Sequence, residues 1–315
     1  MNNNVTITGL TDFGKSLNSI DIPENIEGHP VTEIGTKAFY NYGSFVGTLT
    51  ISNSVINIGD SAFYGCDNLS GSLIIPPSVK RIGTNAFFCC GHFTGSLTIS
   101  NGVETIGDSA FESCSFTGGL TIPSSVTSIG NRAFKSCVYL AGNLIISENV
   151  TSIGAYAFYG CYGLNGTLLI PNGIETIGEK AFFGCHGFTG NLLIPSSVTS
   201  IGNEAFYSCS GLAGNLVLSE NITSIDWDTF ADCAFTGSLV IPSNITAINS
   251  RAFANCTGLT SITVENETPP TISTFDYYNP FKGCSNLSSI IVPSSSVASY
   301  KAADGWSEFE AIITD

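Results

Sequence analysis

This sequence is poor in charge, and poorest in positive charge. Of 315 residues, 10 are Lys or Arg against 25 Asp or Glu, a formal net charge of −15 with 11% charged residues. Phosphate backbones are held by clustered Lys and Arg, so the composition argues against a nucleic-acid partner. The same shortage argues against polybasic contact with an anionic membrane. No apolar run reaches membrane-spanning length, which excludes membrane insertion by a helix of this sequence. The opening Met1-Asn-Asn-Asn lacks a basic segment followed by an apolar one, so no secretory leader is read there. Three His (29, 92 and 186) and no Cys-x-x-Cys pair leave no metal-ligand spacing. Gly-x-Ser-x-Gly, a phosphate loop and His-Glu-x-x-His are missing too, so nothing points to an enzyme or a cofactor.

What the chain does contain is a repeat. Phe recurs at 39, 63, 87, 111, 134, 158, 182, 206, 230, 253 and 281, with steps of 24 or 23 and a last step of 28. A fixed period in the twenties means stacked supersecondary units, each too weak to bury a core alone. The long step comes from Thr274-Phe-Asp-Tyr-Tyr-Asn-Pro280, an insertion between Ile272 and Phe281.

Each unit opens with an alternating triplet such as Leu49-Thr50-Ile51 or Leu97-Thr98-Ile99. Bounded by Gly and by Pro or Ser, it reads as a short strand whose outer residues face inward and whose middle residue faces out. Val-x-x-Ile-Gly follows, as in Val126-Thr-Ser-Ile129-Gly130. Its Gly reads as a left-handed turn position, because Asp226 and Asn249 replace it in later copies. Ala-Phe-x-x-Cys-x-x-Leu (Ala157, Phe158, Cys161, Leu164) spaces apolar residues by three, the mark of about one turn of tight helix.

Eleven Cys suggest a disulfide framework until their places are read. Ten lie three residues after the repeat Phe, and Cys89 is the exception. One fixed repeat position is one fixed inward place, where Cys behaves as a small hydrophobe. Neighbours stacked in register suit a disulfide poorly, so buried free thiols are expected.

The phrase Ile-Pro-x-x-Val-Thr-x-Ile-Gly-x-x-Ala-Phe-x-x-Cys-x-x-Leu resembles the BspA-type leucine-rich repeat family of bacterial and some protozoan surface proteins. Ile22-Pro-Glu-Asn-Ile-Glu-Gly-His-Pro-Val31 and Tyr300-Lys-Ala-Ala-Asp-Gly-Trp306 also resemble that family's ends. The resemblance implies an α/β solenoid: a right-handed leucine-rich-repeat superhelix with a parallel sheet on the concave face and short helical turns on the other side. It also implies cell-surface or secreted placement and adhesion to a host or matrix protein. On this reading residues 1–30 form a β cap around the turn Asp12-Phe-Gly14. Residues 31–293 form about eleven coils of 23–28 residues, and residues 294–315 form a C-terminal cap. Two departures stand out. The link Leu69-Ser-Gly71-Ser-Leu73 is one residue longer than the family's usual one, and the Asn ladder of the commonest leucine-rich repeats is missing.

Two outward rows are candidate sites. The first is the middle strand residue, aliphatic in five consecutive copies: Ile145, Leu169, Leu193, Val217 and Val240, with Thr121 preceding them. Apolar surface rimmed by polar groups marks interaction sites. β-propensity accounts for Val, Ile and Thr in strands, but less well for Leu169 and Leu193. The second is the aromatic row after the repeat Phe: Tyr40, Tyr64, Phe88, Tyr159, Phe183 and Tyr207. It suits either packing between coils or, if the rings are exposed, glycan binding. The carboxylates of Asp226-Trp227-Asp228-Thr-Phe-Ala-Asp232 lack metal-loop spacing and read as a solvated turn. The sequons at Asn149, Asn221 and Asn244 fall on repeat positions. Function thus divides between a non-enzymatic module binding an extracellular protein and a structural spacer with no ligand of its own. Nothing fixes the oligomeric state, with a monomer the simplest case.

Overall fold

The computed structural model describes residues 4–9, 19–43, 46–272 and 279–315. Its contacts divide the chain into two units, Met1–Leu164 and Asn165–Asp315. The predicted turn at Asp12-Phe-Gly14 lies outside the described residues, as does most of the predicted insertion before Phe281.

Both units are parallel-strand β-solenoids, and most coils contribute two strands where the sequence suggested one. The triplets pair coil to coil: Leu73–Ile75 with Leu97–Ile99 and Gly118–Ile122 with Leu140–Ile146 in the first unit. In the second unit Leu192–Leu193 pairs with Leu216–Val217. Gly237–Ile241, Leu259–Val264, Ser289–Ile291 and Ile313–Thr314 there form a four-stranded sheet. A second ladder lies at Val-x-x-Ile. In the first unit it runs through Val5–Ile7, His29–Ile34, Asn57–Ile58, Arg81–Ile82, Thr105–Ile106, Ser128–Ile129 and Ser152–Ile153. Ile34, Ile58, Ile82, Ile106, Ile129 and Ile153 are buried along it. The second unit repeats it with Thr176–Ile177 on Ser200–Ile201 and with Ser224–Ile225, Ala247–Ile248 and Thr271–Ile272. Among the described residues one pairing is antiparallel, a hairpin joining Asn25–Ile26 to His29–Ile34 through Glu27 and Gly28, both at positive φ.

The expected helical turn is not a helix, and this corrects the α/β reading. In the Phe63 coil the amides of Ala62, Tyr64, Cys66 and Leu69 each close a separate turn on Gly59, Ser61, Phe63 and Cys66. The intervening amides of Ser61, Phe63 and Gly65 instead donate to Thr84, Ala86 and Phe88 of the next coil, at 2.7–2.8 Å. A helix would consume those donors internally and leave the neighbouring carbonyls unmet. Left-handed residues at Ser61 (φ 55°) and Gly65 (φ 65°) turn every second amide outward. Among the described residues the helical segments lie near the C-terminal end: Ser294–Ser296, Val297–Ala302 and Ser307–Ile312.

The Gly of Val-x-x-Ile-Gly is likewise not left-handed. The left-handed positions fall two and six residues later, as at Ser109 (φ 52°) and Ser113 (φ 60°) after Gly107. Gly is needed for close approach: a Cβ on Gly130 would sit 2.6 Å from the carbonyl carbon of Gly107, and one on Gly154 would sit 2.6 Å from the Asn131 amide nitrogen. Such separations are incompatible with any side chain.

The repeat Phe residues form the core of each unit. Phe39, Phe63, Phe87, Phe111, Phe134 and Phe158 stack at 4.9–5.5 Å between centroids, with planes within 9° of parallel. Phe182, Phe206, Phe230, Phe253 and Phe281 stack at 5.3–5.6 Å, with planes within 12° of parallel, in the second unit. Centroids slightly farther apart than the ~4.8 Å strand spacing are what ring offset at that spacing produces. The ladder then ends on Trp306, which is buried with Tyr300. Trp306 Nε1 donates to the Pro270 carbonyl and the Tyr300 hydroxyl to the Asn266 carbonyl, both at 2.8 Å.

All eleven Cys are free thiols, ten of them buried and Cys89 half-buried. The thiol is more than a small hydrophobe: Sγ of Cys66, Cys90, Cys114, Cys137 and Cys161 donates to the Phe carbonyl of the preceding coil at 2.9–3.1 Å. Asn also serves between coils. Nδ2 of Asn149 donates to the Ser124 carbonyl at 2.7 Å, and that of Asn221 to the Ser196 carbonyl at 2.6 Å. Asn244 Nδ2 donates to the Ile222 carbonyl. The sequon asparagines therefore hold adjacent coils together.

Candidate functional site

The triplet strand turns its outer side chains into the core and its middle one to solvent, because successive strand residues alternate faces. In the second unit Leu169 is 70% exposed, Leu193 57%, Val217 50% and Val240 43%, each between two buried neighbours. Leu193 and Val217 stand directly opposite in the parallel pair. In the first unit Thr121 pairs with Ile145, both exposed, and Ile74 pairs with Thr98. Each of the six candidate residues on this strand position therefore faces solvent within its own unit. An apolar side chain held out on a rigid ladder keeps its hydrophobic free energy for a partner.

The aromatic row occupies a different place. Tyr64 lies between Tyr40 and Phe88, with both pairs of centroids 4.8 Å apart, so its two faces are covered. Phe183 stacks on Tyr207 at 4.9 Å in the second unit. Tyr159 is half-buried, its ring 5.8 Å from that of Tyr156. Tyr40 is 39% exposed and Lys37 Nζ lies over its ring. Where the row is interrupted in the first unit, Glu112 and Lys135 take the ring positions and pair at 2.9 Å.

The acidic turn is also absorbed by coil-to-coil bonding. Asp228 pairs with Arg251 at 2.9 Å, Asp226 accepts from Asn249 Nδ2 at 3.1 Å, and Asp232 accepts from Asn255 Nδ2 at 2.7 Å. Burial raises the Asp228 carboxyl above the usual carboxylate range, although the Arg251 charge opposes it. No group of three or more His, Cys, Asp or Glu that could hold a metal occurs among the described residues. Nor is any described helix long and apolar enough to cross a membrane.

A family model described as BspA type leucine-rich repeat region, six copies, matches residues 1–117, 32–165 and 162–288. The chain belongs to the BspA-type leucine-rich repeat family. Solved structures similar to this BspA-type chain are bacterial leucine-rich repeat proteins. One from Bacteroides ovatus is 23% identical, with a TM-score of 0.52 over 94% of this chain and 92% of its own. The pneumococcal vaccine antigen PcpA is 18% identical, with a TM-score of 0.51 over 93% and 82%. A leucine rich cell surface protein from Faecalibacterium prausnitzii is 24% identical, with a TM-score of 0.49 over 95% and 91%. Identity at these levels establishes the fold alone. No curated protein sequence matches the chain.

The BspA-type coils also form a feature that sequence reasoning missed. In the second unit a recess of about 380 Å³ opens across the triplet ladder, lined by Asn215, Val217, Glu220, Val240, Pro242 and Glu265. In the first unit one of about 400 Å³ lies at the same repeat position, lined by Thr48, Thr50, Asn53, Ser72, Ile74 and Pro76. In both, a coil with Ser after its triplet (Ser52, Ser219) precedes a coil with Pro there (Pro76, Pro242). The same order recurs at Ser100 and Pro123 and at Ser147 and Pro171, so it did not by itself mark the recesses in the sequence.

Proposed function

We propose that this chain is a non-enzymatic protein-binding module of a cell-surface or secreted protein, and that it grips an extracellular protein partner through the outward residues of its triplet strands. The observation that carries this reading is the run of exposed aliphatic side chains in the second unit, Leu169, Leu193, Val217 and Val240, each flanked by buried residues, with Leu193, Val217 and Val240 on hydrogen-bonded strands. A rigid strand loses little conformational freedom when it binds, so most of the apolar burial is available as affinity. Thr121 and Ile145 present the same kind of surface in the first unit. Right-handed winding, the usual hand of parallel crossovers, and a concave position for the triplet ladder belong to this proposal. So does a division into caps at 1–30 and 294–315 around the coils. Family membership supports the surface placement. Glycan binding through the aromatic row is less well supported, because a sugar needs a free ring face and Tyr64 has none.

The test is capture of purified extracellular-matrix proteins by the immobilised chain, comparing wild type with Leu169→Asp, Leu193→Asp and Val217→Asp. All three side chains are exposed, so the fold is expected to persist by circular dichroism. Loss of capture by more than about tenfold is expected. Undiminished capture by the folded variants would remove these residues from the binding surface, and capture of nothing by wild type would favour the spacer.

A further inference from the structure

The geometry points to a specific occupant for the recess at Val217 and Val240: the side chain of a lysine or arginine carried by the partner. This deepens the binding reading above and rests on it. The recess offers two exposed aliphatic side chains as its bed, and Glu220 and Glu265 lie in its lining. Lys, Arg and His are absent from that lining. Neither carboxylate forms an ion pair among the described residues, although Lys180, Glu179, Glu204, Asp228 and Arg251 are drawn into pairs elsewhere in the unit.

A lysine side chain has the complementary form. Its methylene stem covers apolar surface while its ammonium stays in contact with water and carboxylate, and an arginine behaves alike. An aliphatic side chain would satisfy the bed but crowd the two glutamates away from water. An acidic one would meet like charge. The surroundings favour the same choice, because residues 165–315 hold fourteen acidic and four basic side chains, a formal charge of −10. Such a field raises the local concentration of a cationic segment before contact.

The first unit supplies an internal control. Its recess has the same repeat position and nearly the same volume, but Asn53 stands where Glu220 stands and no carboxylate lines it. If shape and apolar surface alone decided binding, both recesses would take the same ligand. If the carboxylates decide, only the second responds to a cation.

The experiment uses the full chain with labelled Ile, Leu and Val methyl groups, titrated with a blocked Ala-Lys-Ala peptide and with its norleucine and glutamate counterparts. The lysine peptide is expected to shift the Val217 and Val240 methyls saturably and leave Ile74 in place. Glu220→Gln with Glu265→Gln should weaken that response at least about tenfold. Raising salt from ~0.05 to ~0.5 M should weaken it as well. Both glutamates are exposed, so the double variant keeps the fold. The inference is overturned if the norleucine peptide binds as well as the lysine one, if Ile74 responds equally, or if no saturable shift occurs. Capture lost in the Leu193→Asp variant, alongside a silent lysine titration, would sink this inference and leave the binding surface standing. Capture retained in the Leu193→Asp variant, alongside a positive titration, would do the reverse.

Discussion

Cys161 shows how much one repeat position does. Its side chain is buried beneath the Phe ladder, and its thiol donates at 3.1 Å to the Phe134 carbonyl. Cys161→Ala would remove that bond, leave the Phe134 carbonyl with the Cys137 amide as its donor, and open a small void, at a cost of about 1–2 kcal/mol. Urea unfolding of the variant measures it. Burial also pushes the thiols up, Cys66 to about 12 and Cys284 to about 11, so little thiolate exists at neutral pH. A charged thiol reagent should therefore modify at most Cys89 in the native chain and all eleven Cys after unfolding. Rapid native modification of several would contradict the packing described. That these thiols are inward was legible from their fixed distance to Phe. Their hydrogen bond was not, because its acceptor lies 26 or 27 residues earlier in most coils and no local pattern marks it. Asp228 gives a pH signature. Its folded pKa is raised, first by burial, so the folded state holds this proton more tightly than the unfolded chain does. Its contribution is therefore most favourable below the ordinary carboxylate pKa and is lost as pH rises through the raised value. Asp228→Asn should remove that slope. Relative to wild type the variant gains in melting temperature between about pH 4 and 7, and a constant offset across that range would count against the assignment.

Elements were legible to the extent that their pattern repeats within a few residues. Alternation in Leu97-Thr98-Ile99 gave the triplet ladder directly. Two-residue strands such as Thr105–Ile106 offer no alternation to read, so the ladder at Val-x-x-Ile emerged only from the structure. Spacing by three in Ala157, Phe158, Cys161 and Leu164 fits a helix and also fits successive single turns; what separates them is where every second amide goes. In the Phe134 coil it goes to the next coil, from Arg132, Phe134 and Ser136 to the carbonyls of Ala155, Ala157 and Tyr159, with Arg132 and Ser136 left-handed. The two glycine-like positions can be told apart by substitution. Gly130→Ala drives a methyl against the Gly107 backbone and should cost about 1–3 kcal/mol. Ser136, at φ 58°, already bears the left-handed strain, so Ser136→Gly should fall within about 1 kcal/mol of wild type. Denaturation midpoints for the pair decide it. If Gly130→Ala were the milder change, coil-to-coil approach would not be the reason for that glycine.

At the scale of the molecule, a repeat array is held by interfaces between neighbours, so an end is its weak point. The sequence makes the array plain and names its outward residues, because period and alternation are counted along the chain. It leaves the recesses unseen, because Glu220, Val240 and Glu265 come together only across coils. The C-terminal end offers a direct check on how stability is distributed. Trp306 terminates the Phe ladder against Phe281 and fixes its indole on the Pro270 carbonyl. Trp306→Ala removes a large buried ring and orphans that carbonyl, a loss of about 3–5 kcal/mol locally. In a globule with one shared core that loss would be felt throughout. In an array it should fray the coils it touches and fade with distance. Hydrogen exchange is expected to accelerate by at least about tenfold in 259–292 and to remain unchanged in 97–129. Uniform acceleration across both stretches would mean that the coils do not hold one another pairwise, and the nearest-neighbour account of this solenoid would fail.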